Sequence, residues 1–151
     1  MAMLSIAAFE TRLLWALNAQ EASLRRFVMP RYEAGFYRRY LRNNPEFAQD
    51  EKRWGRVAIS SSYGPWQIMY ATAKQFGYRG DPRNLSHAFV SLPYVVRYLR
   101  YLSGKFDGRV DRIVSAYNAG PGGVGSNPRY TRNVLDYLSR APEAWTVYGL
   151  E

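Results

Sequence analysis

Glu21 is the side chain whose neighbours in sequence most favour acid chemistry. Leu14, Leu17 and Leu24 recur at helical spacing through residues 9–24, and Glu21 falls on the face they define. A carboxyl on an apolar helix face is costly to bury while charged. Desolvation therefore raises its pKa and keeps it protonated near neutral pH, the form that can donate a proton. Cleavage of a glycosidic bond needs such a donor, because the leaving oxygen must be protonated. The same spacing also allows a plainer arrangement, with Glu21 partly exposed and paired to Arg25 one turn later. Glu33 is the rival acid. It sits beside Arg31 and shows no apolar helical face, so ion pairing would hold it charged.

Two further segments carry groups that suit a ligand. Ser60-Ser61-Ser62-Tyr63-Gly64-Pro65 reads as a helix entry, since Pro is favoured in a first helical turn. On that reading Gln67 and Met69 lie just inside a helix running to about Phe76. An amide such as Gln67 can bond a sugar hydroxyl or amide, and Met69 can line an acetamide pocket; a capped helix with a core Met fits equally well. In Ala116-Tyr117-Asn118-Ala119-Gly120 a phenol and an amide stand at a helix end, though Asn and Gly also make an ordinary C-terminal stop. Tyr117 shares a face with Val110, Ile113 and Val114. Its ring is expected to be largely buried, with the hydroxyl emerging where it can meet Glu21 or a bound acetamide.

These groups must be positioned by helices. Besides residues 9–24, a short helix is expected near 36–41, ended by Asn43-Asn44-Pro45. Residues 45–57 read as charged and irregular. Ser86 can cap a helix carrying Val95, Val96, Leu99 and Leu102, with Pro93 as a kink and Asp107-Gly108 as its break. Helices through Val110–Tyr117 and from about Pro128 follow, the latter carrying Tyr130, Val134, Leu135 and Leu138. The tail after Pro142 is expected to be irregular. No clear alternating run appears, so the fold class is mainly α, with a small hairpin allowed within 54–63. The length of 151 residues suits one domain, 1–151.

Composition narrows the chemistry. The chain has no cysteine and one histidine, His87. A Cys nucleophile, a thiolate metal site and a disulfide are excluded, and a conventional zinc site lacks ligands. His87 reads as a surface or helix-end residue. The net charge of +9 favours encounter with polyanions such as an anionic wall, a membrane surface or nucleic acid. Its densest run, Arg38-Arg39-Tyr40-Leu41-Arg42, is too short for a basic arm. No stretch approaches the about 20 apolar residues of a membrane span. Residues 1–9 lack the basic leader of a signal peptide.

Taken together, Gln20-Glu21, then Ser60-x-x-x-Gly64-x-x-Gln67-Ile68-Met69-x-x-Thr72-Ala73, then Ala116-Tyr117-Asn118-Ala119-Gly120 and Tyr130-x-x-x-Val134, resemble the soluble lytic transglycosylase catalytic domain, a relative of the goose-type lysozymes. The resemblance covers residues 11–138. It implies a lysozyme-like helical domain with a groove for alternating N-acetylglucosamine and N-acetylmuramic acid. It places the catalytic acid at Glu21 and substrate contacts at Gln67, Met69, Tyr117 and Asn118. The family's serine is best matched by Ser60, with Ser61 and Ser62 as alternatives. The chain departs from the family in having Ala22 after the acid, Pro65-Trp66 before Gln67, and a longer segment between Glu21 and Gly64. That segment, which includes 31–40, is similar to one in phage-type members and reads as an insertion over the groove.

The implied reaction uses one acid and no metal or organic cofactor, and it ends in a 1,6-anhydromuramyl product. Hydrolysis of the same bond is the alternative, with Asp50, Glu51 and Asp81 available as second carboxylates. A basic wall- or nucleic-acid-binding module with an inactive site is a further one, Arg38, Arg39 and Arg42 interleaving with Tyr37 and Tyr40. The expected partners are peptidoglycan strands and an anionic cell-wall or outer-membrane surface, with no obligate nucleic acid and the chain a monomer. Synthesis in the cytoplasm, followed by phage-type delivery to the wall, completes the expectation.

Overall fold

Leucine and alanine spacing builds a helix that is covered on nearly all sides. α1 (Ala8–Ala22) buries Leu13, Leu14, Ala16, Leu17, Asn18, Ala19 and Ala22 and packs chiefly on α8 (Pro128–Ser139). The computed structural model describes residues 8–143 and Trp145. Most of the N-terminal stretch read for a leader, and most of the tail after Pro142, lie outside the described residues.

α1 stops two residues earlier than the leucine spacing suggests. Ser23 and Leu24 turn left-handed, at φ 52° and 61°, and the Leu24 N–H donates back to the Asn18 carbonyl. Leu24 is thus outside the helix and exposed, not part of the face that carries Glu21. Asn18 explains the stop. Its side chain is fully buried, and its Nδ2 donates to the Arg25 carbonyl at 3.2 Å and the Pro65 carbonyl at 3.1 Å. One amide captures both the outgoing chain and a distant turn.

Residues 45–57 are helical, contrary to the expectation of irregular chain. Asn44 caps a 3-10 turn (Pro45–Phe47), which leads into α3 (Ala48–Trp54) and, past Gly55, α4 (Arg56–Ile59). The sparse apolar positions Phe47, Trp54 and Ile59 suffice to seat them; Asp50 and Glu51 turn to Lys74 and to the Tyr37 hydroxyl, and the other charges are exposed. Upstream, a short α2 (Ala34–Phe36) continues as a π turn (Tyr37–Leu41).

The segment read as a helix entry is instead a hairpin. β2 (Ser61–Tyr63) pairs antiparallel with β3 (Ile68–Met69), and β1 (Arg31–Tyr32) pairs with the other edge of β2. The hairpin therefore runs on past the 54–63 allowed for it, and the sheet gains a third strand from earlier in the chain. Gly64-Pro65 makes the turn, with Gly64 at φ 79°. A Cβ at Gly64 would lie 2.7 Å from the Leu85 carbonyl, so both the conformation and the space call for glycine. Trp66 is fully buried, and its indole N–H donates to the Leu14 carbonyl at 2.9 Å. That burial of a large aromatic outweighs the helix-start preference of the preceding proline. α5 (Tyr70–Gln75) begins only after Met69.

The remaining elements follow the expected spacing. α6 (Ala88–Lys105) buries Leu92, Val95, Val96, Tyr98, Leu99 and Leu102. Ser86 closes a 3-10 turn capped by Asp81, rather than capping α6, and His87 precedes the helix in an exposed position. α7 (Val110–Ala119) ends at Gly120, at φ 80°. Asn127 caps α8, its Oδ1 accepting from the Tyr130 N–H. Arg100 on α6 grips Glu10 on α1 with two hydrogen bonds, 2.7 and 3.0 Å.

Candidate active site

Glu21 occupies the last turn of α1, where the helix dipole already disfavours negative charge. Desolvation pushes its carboxyl up. A hydrogen bond from Tyr130 and the charge of Arg31 pull it down, the charge of Glu33 pushes it up, and burial prevails. The carboxyl is therefore held above the ordinary carboxylate range. Tyr130 Oη donates to Glu21 Oε1 at 2.7 Å. Among the described residues no other side chain bonds to Glu21, which leaves Oε2 to carry a proton. Arg25 takes no part, because its Nε donates to the Ala22 carbonyl.

Tyr130 is buried in α8 behind the acid, and sequence reasoning did not single it out as a site residue. Its phenol is pushed well up, first by burial and then by the Glu21 and Tyr117 groups and the bond to Glu21. It therefore stays a donor throughout the useful pH range. The available signal was a Tyr on the apolar stripe of a helix, since a buried phenol must find a partner.

Tyr117 stands nearby but bonds elsewhere. Its hydroxyl donates to the Trp66 carbonyl at 2.6 Å, not to Glu21, and its ring packs partly buried against the core. The reason lies in the hairpin: the buried Trp66 turns its carbonyl toward α7, and that acceptor lies within reach of the phenol. Burial pushes this phenol well up, with Glu21 and Tyr98 adding to the effect.

Glu21 opens on a groove of about 1,050 Å³ that also exposes Ser62, Gln67, Met69, Tyr117 and Asn118. Of the three serines it is Ser62 that reaches the groove. Ser62 Oγ donates to Gln67 Oε1 at 2.9 Å, while Ser61 Oγ turns back to the Val57 carbonyl. Ser60, the expected match, is fully buried off the groove, and its carbonyl accepts from the Glu33 N–H. Strand alternation explains this register, since β2 sends Ser62 to the face opposite its neighbours. Gln67 sits in the turn at φ 47°, not in a helix, and its Nε2 donates to the Gly64 carbonyl at 3.0 Å. One amide N–H and one lone pair remain for a ligand. Met69 precedes α5 and lines the same wall. Asn118 Oδ1 accepts from Asn127 Nδ2 at 3.0 Å, so its own Nδ2 remains available.

The far rim comes from the segment 31–40. Arg31, Glu33, Phe36, Arg39 and Tyr40 all line the groove. Arg31 Nε and Glu33 Oε1 form an ion pair at 2.7 Å in a solvent-exposed setting. A second cavity of about 750 Å³ abuts the first, sharing Phe36, Tyr40, Thr72, Tyr98, Gly120 and Pro121 with it. The two run together as one long channel, with Glu21 facing one part, Glu33 paired to Arg31 beside it, and Glu46 lining the other part. Among the described residues, no three His, Cys, Asp or Glu cluster as metal ligands.

The family model of the transglycosylase SLT domain matches residues 8–139, from the start of α1 to the end of α8. The chain belongs to this family. No curated protein and no solved structure matches it. As an SLT domain it is a lysozyme-like enzyme unit that cleaves glycosidic bonds of peptidoglycan. Every groove residue named above falls inside the matched interval, including the rim from 31–40.

Proposed function

We propose that this SLT domain cleaves the β-1,4 bond between N-acetylmuramic acid and N-acetylglucosamine with Glu21 as both acid and base. One observation carries the reading. Glu21 is a desolvated carboxyl, held at one oxygen by Tyr130, on the floor of a groove whose other carboxylate, Glu33, is bound to Arg31. The acid donates its proton to the glycosidic oxygen, and the bond from that oxygen to muramyl C1 breaks. The substrate's own acetamide oxygen supports the electron-poor C1. Glu21, now a carboxylate, takes the proton of the muramyl 6-hydroxyl, and O6 closes on C1. The acid is regenerated, and the product ends in a 1,6-anhydro ring.

Hydrolysis has one observation in its favour: Glu33 lines the same groove, and its charge reaches Glu21. To activate water it would have to give up Arg31. Mass analysis of muropeptides released from purified sacculi separates the two readings. Products one water lighter than reducing ends are expected; reducing ends alone would overturn the anhydro-forming reaction.

A further inference from the structure

Between α1 and β1 the chain displays apolar side chains that the fold does not use. Leu24 is 45% exposed, Phe27 62% and Met29 74%. They stand within six residues of one another, whereas singly scattered exposed apolar residues are ordinary. Arg25 and Arg26 interleave with them, both exposed. None of the ion pairs among the described residues involves either one. No acidic residue lies between Glu21 and Glu33 in the sequence.

The loop is held firmly at its base. Asn18 Nδ2 donates to the Arg25 carbonyl, Arg25 Nε donates to the Ala22 carbonyl at 3.1 Å, and Arg25 N–H donates to the same carbonyl. None of residues 24–29 lines either cavity described above. The display is therefore outward, and it begins two residues after Ala22 and ends two before Arg31 on the groove rim.

From this we infer that residues 24–29 dock the domain onto an anionic phospholipid surface. Phe27 and Met29 would enter the boundary between headgroups and acyl chains, while Arg25 and Arg26 meet lipid phosphates. Apolar tips interleaved with guanidinium groups match the two chemistries of such a surface, and a net charge of +9 adds long-range attraction. A protein partner would have to supply carboxylates and an apolar pocket together; a lipid surface presents both chemistries without shape complementarity. Docking here would set the groove rim close to the bilayer, beside the membrane-facing side of the wall.

Sedimentation of the whole chain with phosphatidylcholine vesicles, with and without phosphatidylglycerol, tests this. Binding is expected only with the anionic lipid, and Phe27→Ser/Met29→Ser should weaken it about tenfold or more without changing net charge. Cleavage of short soluble glycans should be unaffected. Because the chain has no cysteine, Met29→Cys carrying an environment-sensitive fluorophore gives a second measurement, and its emission should shift to the blue on anionic vesicles. Absence of binding, equal binding by the double variant, or an unshifted fluorophore would each overturn the inference. So would a concentration-dependent dimer that the double variant abolishes, since the occupant would then be a second copy.

Discussion

Two carboxyls look into one groove, and the molecule holds them in opposite ways. Glu21, at a helix end, is stripped of water, and that burial favours its proton against the opposing pull of the Tyr130 hydrogen bond. Glu33, on the rim, stays in solvent against a guanidinium, where the charged form has a partner. The difference teaches that residue type and groove lining do not identify an acid catalyst; the partner and the water do. At Glu21 a phenol orients the carboxyl while burial governs its proton, whereas Glu33 is held by the Arg31 guanidinium in solvent.

The comparison breaks most sharply at Glu21. Glu21→Gln should lower kcat on sacculi by about a thousandfold or more, with the fold retained. Its stability should carry a signature. The folded-state pKa of Glu21 lies above the ordinary value, so the acid's contribution is full at low pH and is lost as pH rises through the folded pKa. The Gln variant should therefore melt higher than the parent at neutral pH, with the gain vanishing in acid. Equal activity, or a melting difference independent of pH, would refute the assignment.

Next comes the phenol behind the acid. Hydrogen bonds to charged groups contribute about 1.5–3 kcal/mol, so Tyr130→Phe should lower kcat roughly ten- to a hundredfold. That bond favours the carboxylate form. Without it Glu21 should hold its proton to higher pH, moving the alkaline limb of the kcat profile upward. A profile that stays in place would show that Tyr130 does not govern the acid.

Tyr117→Phe sharpens the contrast by acting on stability. It leaves the Trp66 carbonyl without its donor, a loss of about 1–3 kcal/mol. A lowered Tm with kcat within severalfold of the parent is expected; a hundredfold fall in kcat at unchanged Tm would restore Tyr117 to the chemistry. The smallest effect belongs to Glu33→Gln. Removing its charge lowers the Glu21 pKa, so activity should fade at somewhat lower pH while the maximum stays within a few fold.

The sequence carried the helices with dense apolar spacing, and the resemblance it bears pointed to the groove residues. α7 and α8 lie where Val110–Tyr117 and Tyr130–Leu138 place them, because each needs one stripe to face the core. The hairpin was not legible. Serines before Gly64-Pro65 suit a helix start locally, and only burial of Trp66 against Leu14, 52 positions away, decides otherwise. Which of Ser60, Ser61 and Ser62 meets the groove stayed open for the same reason, since the alternation of β2 turns Ser62 to that side. Residues 45–57 hid their helices because three apolar positions among many charges leave too weak a period. The exchange of Tyr117 for Tyr130 beside the acid has the same root: both phenols lie close to Glu21, and long-range acceptors choose between them.

Trp66 joins α1 through its indole and α7 through its carbonyl, and one consequence concerns how the groove can open. A site whose walls share a core residue has no hinge of its own. The amides around Glu21 and Gln67 should exchange with solvent deuterium only through global unfolding, as one cooperative unit with the core. A tight groove ligand should then slow exchange at Leu14 and Val114 as much as at the groove itself, because occupying the site and resisting unfolding are the same equilibrium.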